Sequence, residues 1–224
     1  MPGGEMKPCS ELLTIIEPAY APCRNFADAC SSLVWAPDKG HVPRGFLGAT
    51  GTLGEVELVL VFAEPGDPHD VEKDETMDTS LEYTYQCMKL GTDLFHRNVR
   101  YILNLCFPED SFDSQLRKTW MTESLLCSAP KEGGSVKASS WRACTNCYLK
   151  PQLDLLSQAF VVALGSKAKS RLKSIGIPFF PAGAAAPPGC NFLGVRNSWN
   201  EAAMILRERR ITKRSRYSSK TDSA

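Results

Sequence analysis

Several features are missing from these 224 residues, and each omission removes a class of function. No run of about 18 uncharged apolar residues occurs, so no membrane-spanning helix is expected. Met1 to Ser10 contains Glu5 and two prolines and lacks a basic stretch followed by an apolar one. The reading therefore expects no secretory leader and a cytoplasmic, intracellular protein. No strand is followed by Gly-x-Gly-x-x-Gly or by a Walker-type loop, which leaves a nucleotide-binding α/β enzyme without support. No internal repeat is visible. The charge balance is nearly even, a formal +1 from 26 basic and 25 acidic residues. Any nucleic-acid site must then be a local basic patch rather than a global field.

Cysteine, by contrast, is plentiful: there are nine, an odd number. In a reducing compartment structural disulfides are rare, so these thiols are core residues, metal ligands or reactive groups. With 43% hydrophobic and 23% charged residues the chain can bury a sizeable core. Its length suits one domain. Residues 1–35 read as an N-terminal arm, 36–209 as an α/β domain and 210–224 as a basic tail expected to be disordered. Between Arg207 and Lys220 stand seven Lys or Arg and one Glu.

Residues 36–54 hold many glycines and prolines and read as a long loop, a frequent home of function. Val56 to Phe62 is a β-branched and aromatic run, the mark of a strand buried on both faces. Ala63-Glu64-Pro65-Gly66-Asp67 stops it, which puts Glu64 at its C-terminal edge. A helix is expected over Ser80 to Phe95, strands over Thr119 to Cys127, Phe160 to Leu164 and Pro178 to Phe180, and a helix over Lys167 to Ser174. Arg142 to Leu156 fits a helix that Pro151 interrupts, and Ser198 to Arg209 fits a last helix capped by Ser198. The alternation argues for a three-layer α/β/α domain around a mainly parallel four-stranded sheet. Ligands of such sheets bind at the C-terminal ends of the strands, where the loops Ala63–Asp67 and Pro181–Asn191 fall.

Four segments in order give the chain its resemblance to the uracil-DNA glycosylase superfamily, closest to the iron–sulfur branch. The first is Val61-Phe62-Ala63-Glu64-Pro65-Gly66-Asp67. The second is Trp120-Met121-Thr122-Glu123 running to Cys127, then Cys144 after sixteen residues, then Tyr148-Leu149. The third is Phe160 to Gly165 with Ala168 and Leu172. The fourth is Phe180-Pro181-Ala182, with Trp199 beyond it. The resemblance spans roughly residues 43–206. It departs from the family at four places. Phe62 replaces a glycine, Ala63 replaces the glutamate of the iron–sulfur branch, Glu123 stands where the family reads uracil with an asparagine, and Phe180 replaces a histidine.

The resemblance implies a base-excision repair activity: hydrolysis of the N-glycosidic bond of a deaminated or damaged base flipped out of DNA, by a monomer. Glu64 would orient water and stabilise the sugar cation, with Asp67 as a spare acid. Tyr83, Tyr85 or Phe180 would stack on or line the base, and Glu123 would read its edge. An ionised Glu123 offers acceptors only, which points away from uracil toward edges with donors. Gly66, Gly183 and Ala184 would bring backbone N–H groups to phosphate or to the leaving base, and Arg214 in the tail would track phosphates. The branch also implies a [4Fe–4S] cluster, for which Cys23, Cys30, Cys127 and Cys144 are the candidate ligands; free buried thiols are the alternative. A second function stays open, a non-catalytic DNA or damaged-base binder that kept the fold.

Overall fold

The computed structural model describes residues 6–20, 23–73 and 76–221, with side chains as far as Lys213. The chain forms an α/β domain around one mixed, mostly parallel sheet. The strands are β1 (Leu47–Gly48), β2 (Leu58–Phe62), β3 (Thr119–Glu123), β4 (Phe160–Leu164) and β5 (Phe180–Ala182), in the order β1-β3-β2-β4-β5. All neighbours are parallel except β1, which pairs antiparallel with β3 through Leu47↔Met121 and Gly48↔Trp120. The sheet thus has five strands and not the expected four. The extra one lies inside the glycine-rich stretch, and two residues carry no readable periodicity.

Every residue of β2 is buried, as its unbroken apolar run requires for a central parallel strand. The register Phe62↔Glu123 and Val59↔Trp120 divides the two faces. On one, Phe62 meets Phe95 edge-on, with ring centres 5.1 Å apart. On the other, Trp120 is fully buried and donates its Nε1 to Gln152 at 2.9 Å. Each such apolar side chain stabilises the fold by roughly 1.5–3 kcal/mol over its exposed state.

The helices are α1 (Ser10–Ile16), α2 (Met77–Leu90), α3 (Leu94–Cys106), α4 (Phe112–Lys118), α5 (Ala138–Cys144), α6 (Lys150–Leu155), α7 (Ser166–Ser174) and α8 (Val195–Thr221). The single helix expected over 80–95 is broken in two. Gly91 ends α2 at φ +63°, and the Asp93 side chain accepts from His96 N–H to start α3. Between α5 and α6 the backbone widens into a π-turn, Thr145–Leu149. Pro151 follows directly at the start of α6, where the ladder has already changed register, so the helical path continues through it.

Helix α8 begins at Val195, three residues before the expected cap. Ser198 lies inside it and uses its hydroxyl to accept from Gly183 N–H at 2.8 Å. Trp199 Nε1 donates to Gly183 O at 3.0 Å, which fixes this end of α8 beside the C-terminal end of β5. Further along, Arg210 pairs with Glu57, just before β2, at 2.9 Å, and Arg209 lies over Phe160, the first residue of β4. The helix therefore runs antiparallel to the strands and past their N-terminal ends. It continues to Thr221, through the segment read as a basic tail. The Arg214 side chain lies outside the described residues.

Candidate functional site

The C-terminal ends of β2 and β3 hold a buried charged cluster. Ser124 N–H and Leu125 N–H donate to the carbonyls of Phe62 and Ala63, so the two chains stay bonded beyond the strands. Ala63 O also accepts from Ser124 Oγ at 2.7 Å and from Arg171 Nη1 at 2.5 Å. These donors fix the backbone that carries Glu64. Its carboxylate accepts from Arg171 Nη2 at 2.5 Å on one oxygen and pairs with Lys167 on the other. The side chains of Glu64 and Arg171 are each only 4% exposed, whereas Lys167 is 34% exposed. Lys167 also donates to Gly134 O at 2.8 Å and so ties the 128–137 loop to the site. Both cations come from α7 at i, i+4 spacing, one face of a helix. The sequence reading expected a helix over Lys167 to Ser174 but did not single out these two side chains.

Glu123 lies beside this pair and is 5% exposed, and its Oε2 has no hydrogen-bond partner among the described residues. Burial raises its pKa well above the ordinary carboxylate range; repulsion from Glu64 adds to the rise, while Arg171 and Arg44 oppose it. Desolvation thus pulls away from the ionised, acceptor-only form and toward the protonated acid, which offers one donor and one acceptor. Gly45 makes room for it. A Cβ at position 45 would stand 2.4 Å from Glu123 Cγ, and the glycine holds φ +82°.

The neighbouring loop is pinned by Arg44, which is buried against Glu72 at 3.9 Å and donates to the carbonyls of Gly40 and Gly66. Ser128 Oγ donates to Gly66 O at 3.0 Å, so this carbonyl fastens two loops together. His41, also missed, has its pKa lowered chiefly by burial and then by Arg44, while Asp67 pulls it the other way. Asp67 itself is exposed, as is His69, whose ring lies 6.4 Å from that of Tyr83.

The other sequence candidates separate. Tyr83 is half-buried on the His69 side of α2, with its hydroxyl pKa raised by burial first and by its bond to Cys87 second. Tyr85 is buried and donates to Asp113 at 2.8 Å, against α4, which leads into the N-terminal end of β3. Two tyrosines two apart on a helix point to different sides, so they cannot share one base site. Phe180 pairs with Val162 in register and packs on Phe160 at 6.0 Å, which sets it roughly 6–7 Å below the strand ends. Gly183 N–H is already bonded to Ser198, so it is not the free donor expected of it. Ala184 packs beside Gly165 and Gly189. Beyond β5 the chain presents Phe192, 71% exposed, and the fully exposed Leu193. Neither was singled out, because two apolar residues in a loop show no period.

A second cluster is made of thiols. Cys23, Cys30, Cys127 and Cys144 are all buried, and none of the nine cysteines is disulfide-bonded. Cys23 and Cys30 flank the short 3-10 helix Arg24–Ala27, which folds their longer spacing back on itself. Burial, and then the neighbouring thiols, push Cys30 up to about 11 and Cys144 up to about 12, the latter with a partly offsetting bond from Leu126 N–H; Cys127 rises well above its ordinary value. Each of the four lies within electrostatic reach of the other three. Yet no three His, Cys, Asp or Glu among the described residues converge on the point one metal ion would occupy. A zinc site needs such convergence. A four-iron cluster does not, because each thiolate binds a different iron, so the donor set fits a cluster better than a single ion.

Among the described residues no helix is long and apolar enough to cross a membrane. No protein-family model matches the chain and no curated protein matches it, so any functional reading rests on these two clusters and on the motifs that lead to them.

Proposed function

We propose that this chain is a DNA glycosylase of the uracil-DNA glycosylase type that hydrolyses the N-glycosidic bond of a deaminated base. The observation that carries the reading is the meeting of Glu64 and Glu123 at the C-terminal ends of adjacent parallel strands, one paired with two cations and the other buried with no partner for Oε2 among the described residues. Two carboxyl groups in such different surroundings can take separate acid–base roles. Open α/β sheets place ligands at this end of their strands.

In this reading Glu123 recognises the base. A neutral carboxyl presents a donor beside an acceptor, the pattern of an amide, and suits an N–H next to a C=O. Uracil, hypoxanthine and xanthine all carry that edge. Glu64 supplies negative charge to the developing sugar cation and orients water. Its Oε1 becomes available when Lys167, one-third exposed, turns to a DNA phosphate. Phe192 and Leu193, both exposed beyond β5, would wedge into the stack as the base leaves it. Cys23, Cys30, Cys127 and Cys144 would hold a [4Fe–4S] cluster. When bound, the cluster would cross-link the N-terminal arm to the segments after β3 and at the end of α5.

The test is base release from single-stranded oligonucleotides bearing uracil, hypoxanthine or xanthine. The native chain and Glu123→Gln, which keeps a donor and an acceptor, are expected to release base, and Glu64→Gln is expected to be inactive. A second reading, a non-catalytic damaged-base binder, is favoured by the capture of both Glu64 oxygens by Arg171 and Lys167. DNA binding without release from any of the three bases decides for it.

A further inference from the structure

Three donors in the thiol region point at sulfur. Tyr148 Oη donates to Cys23 Sγ at 3.1 Å, Leu126 N–H to Cys144 Sγ at 3.4 Å and Asn25 Nδ2 to Cys147 Sγ at 3.7 Å. The first is the most telling. Tyr148 is buried, and a buried hydroxyl ordinarily finds a good acceptor. A neutral thiol is a weak acceptor, whereas a thiolate is a strong one. The geometry therefore gives Cys23 a donor that would bond its sulfur more strongly once a metal holds it as a thiolate.

Local structure explains how the tyrosine arrives there. Cys144 ends α5, and the π-turn Thr145–Leu149 follows at once. A π-turn inserts an extra residue into the helix and re-aims the side chains on it, which is why such turns recur at functional sites. Here it aims Tyr148 from the Cys144 side of the cluster across to Cys23, on the N-terminal arm. Both thiols are thus held from one stretch of helix. Tyr148 also lines an open cleft of about 530 Å³, together with Thr14, Ile15, Arg24 and Cys147.

Building on the four-thiol cluster reading above, we propose that Tyr148 is a positioning residue for that cluster, donating a hydrogen bond to the Cys23 thiolate that sets its reduction potential and its retention. Hydrogen bonds to ligating sulfurs withdraw negative charge and raise the potential. Partners of metal ligands typically affect metal retention by about 10–100-fold.

The experiment compares the full chain with Tyr148→Phe, both purified and reconstituted without oxygen. Iron and acid-labile sulfide per chain, the reduction potential and the rate of iron loss to a chelator are measured. The expected result is equal loading, a more negative potential in Tyr148→Phe and iron loss about 10–100-fold faster. An unchanged potential and unchanged loss, in a loaded protein, overturn the role of Tyr148 and leave the cluster standing. A native chain that binds neither iron nor sulfide overturns both. If Tyr148→Phe does not fold, 3-fluorotyrosine in the otherwise native chain makes a stronger donor. The potential then moves the opposite way, and no movement refutes the proposal.

Discussion

Replacing Arg171 with methionine is the most searching test of the buried charges at the strand ends. Arg171 donates to Glu64 Oε2 at 2.5 Å, to Ala63 O at 2.5 Å and to Ser124 Oγ at 3.0 Å. It is also one of the two arginines that offset the proximity of Glu64 and Glu123. Its loss leaves Glu64 with Lys167 alone, and Lys167 is partly screened by water. Breaking a buried pair by removing one partner costs about 3–5 kcal/mol, because the remaining charge stays buried. For a chain of this size each kcal/mol moves the melting temperature by about 2–4 °C. The expected fall is therefore about 6–20 °C by circular dichroism. Removing both partners, in Arg171→Met/Glu64→Met, should recover most of it, since a buried pair replaced by apolar groups is often neutral or stabilising. A single variant that loses less than about 1 kcal/mol, or a double variant no better than the single, would refute the view that Glu64 depends on Arg171.

Three further outcomes are expected. Gly45→Ala adds a carbon 2.4 Å from Glu123 Cγ at a backbone φ of +82°. Overpacking costs about 1–3 kcal/mol and the left-handed backbone roughly 1–2 more; an unchanged urea midpoint would show that the loop does not pack on Glu123. Glu123 has a raised folded pKa, so its contribution to stability is full below the unfolded value of about 4.3 and falls as pH rises toward the folded one. Glu123→Gln should flatten the decline in unfolding free energy as pH rises above about 4.3, by up to about 1.4 kcal/mol per pH unit, and equal slopes for the two chains would show that burial does not raise the Glu123 pKa. Finally, Phe192→Ser/Leu193→Ser should leave stability within about 0.5 kcal/mol and weaken DNA binding measured by anisotropy; unchanged binding would remove the wedge.

What could be read in the sequence follows from where physical constraints are local. β2 and β4 were visible because a strand buried on both faces must be apolar throughout, and Val59 to Phe62 and Val161 to Leu164 have no alternative residue pattern. The break between α2 and α3 hid behind a continuous helix-forming composition, although Gly91 and Asp93 are a stop and a start in the expected order. β1 is too short to have a pattern. Glu64 was legible from the turn that ends β2, but its partners were not. Nothing in the spacing of Lys167 and Arg171 distinguishes a face buried on a carboxylate from one facing water. The upward shift of the Glu123 pKa was equally hidden, since it depends on burial against Gly45 and on nearness to Glu64, both produced only by the sheet register.

Helix α8 makes the molecule a two-ended object. Its 27 residues span about 40 Å, whereas a five-residue strand spans only about 17 Å. Past Arg210 the helix still extends roughly 16 Å beyond the sheet. Its basic end and the rim that holds Glu64 therefore face opposite poles of the domain. Straight duplex DNA lying across the rim would not also lie along that end of the helix. Whatever anion the helix attracts would act as a tether at a distance, raising local concentration without touching the chemistry.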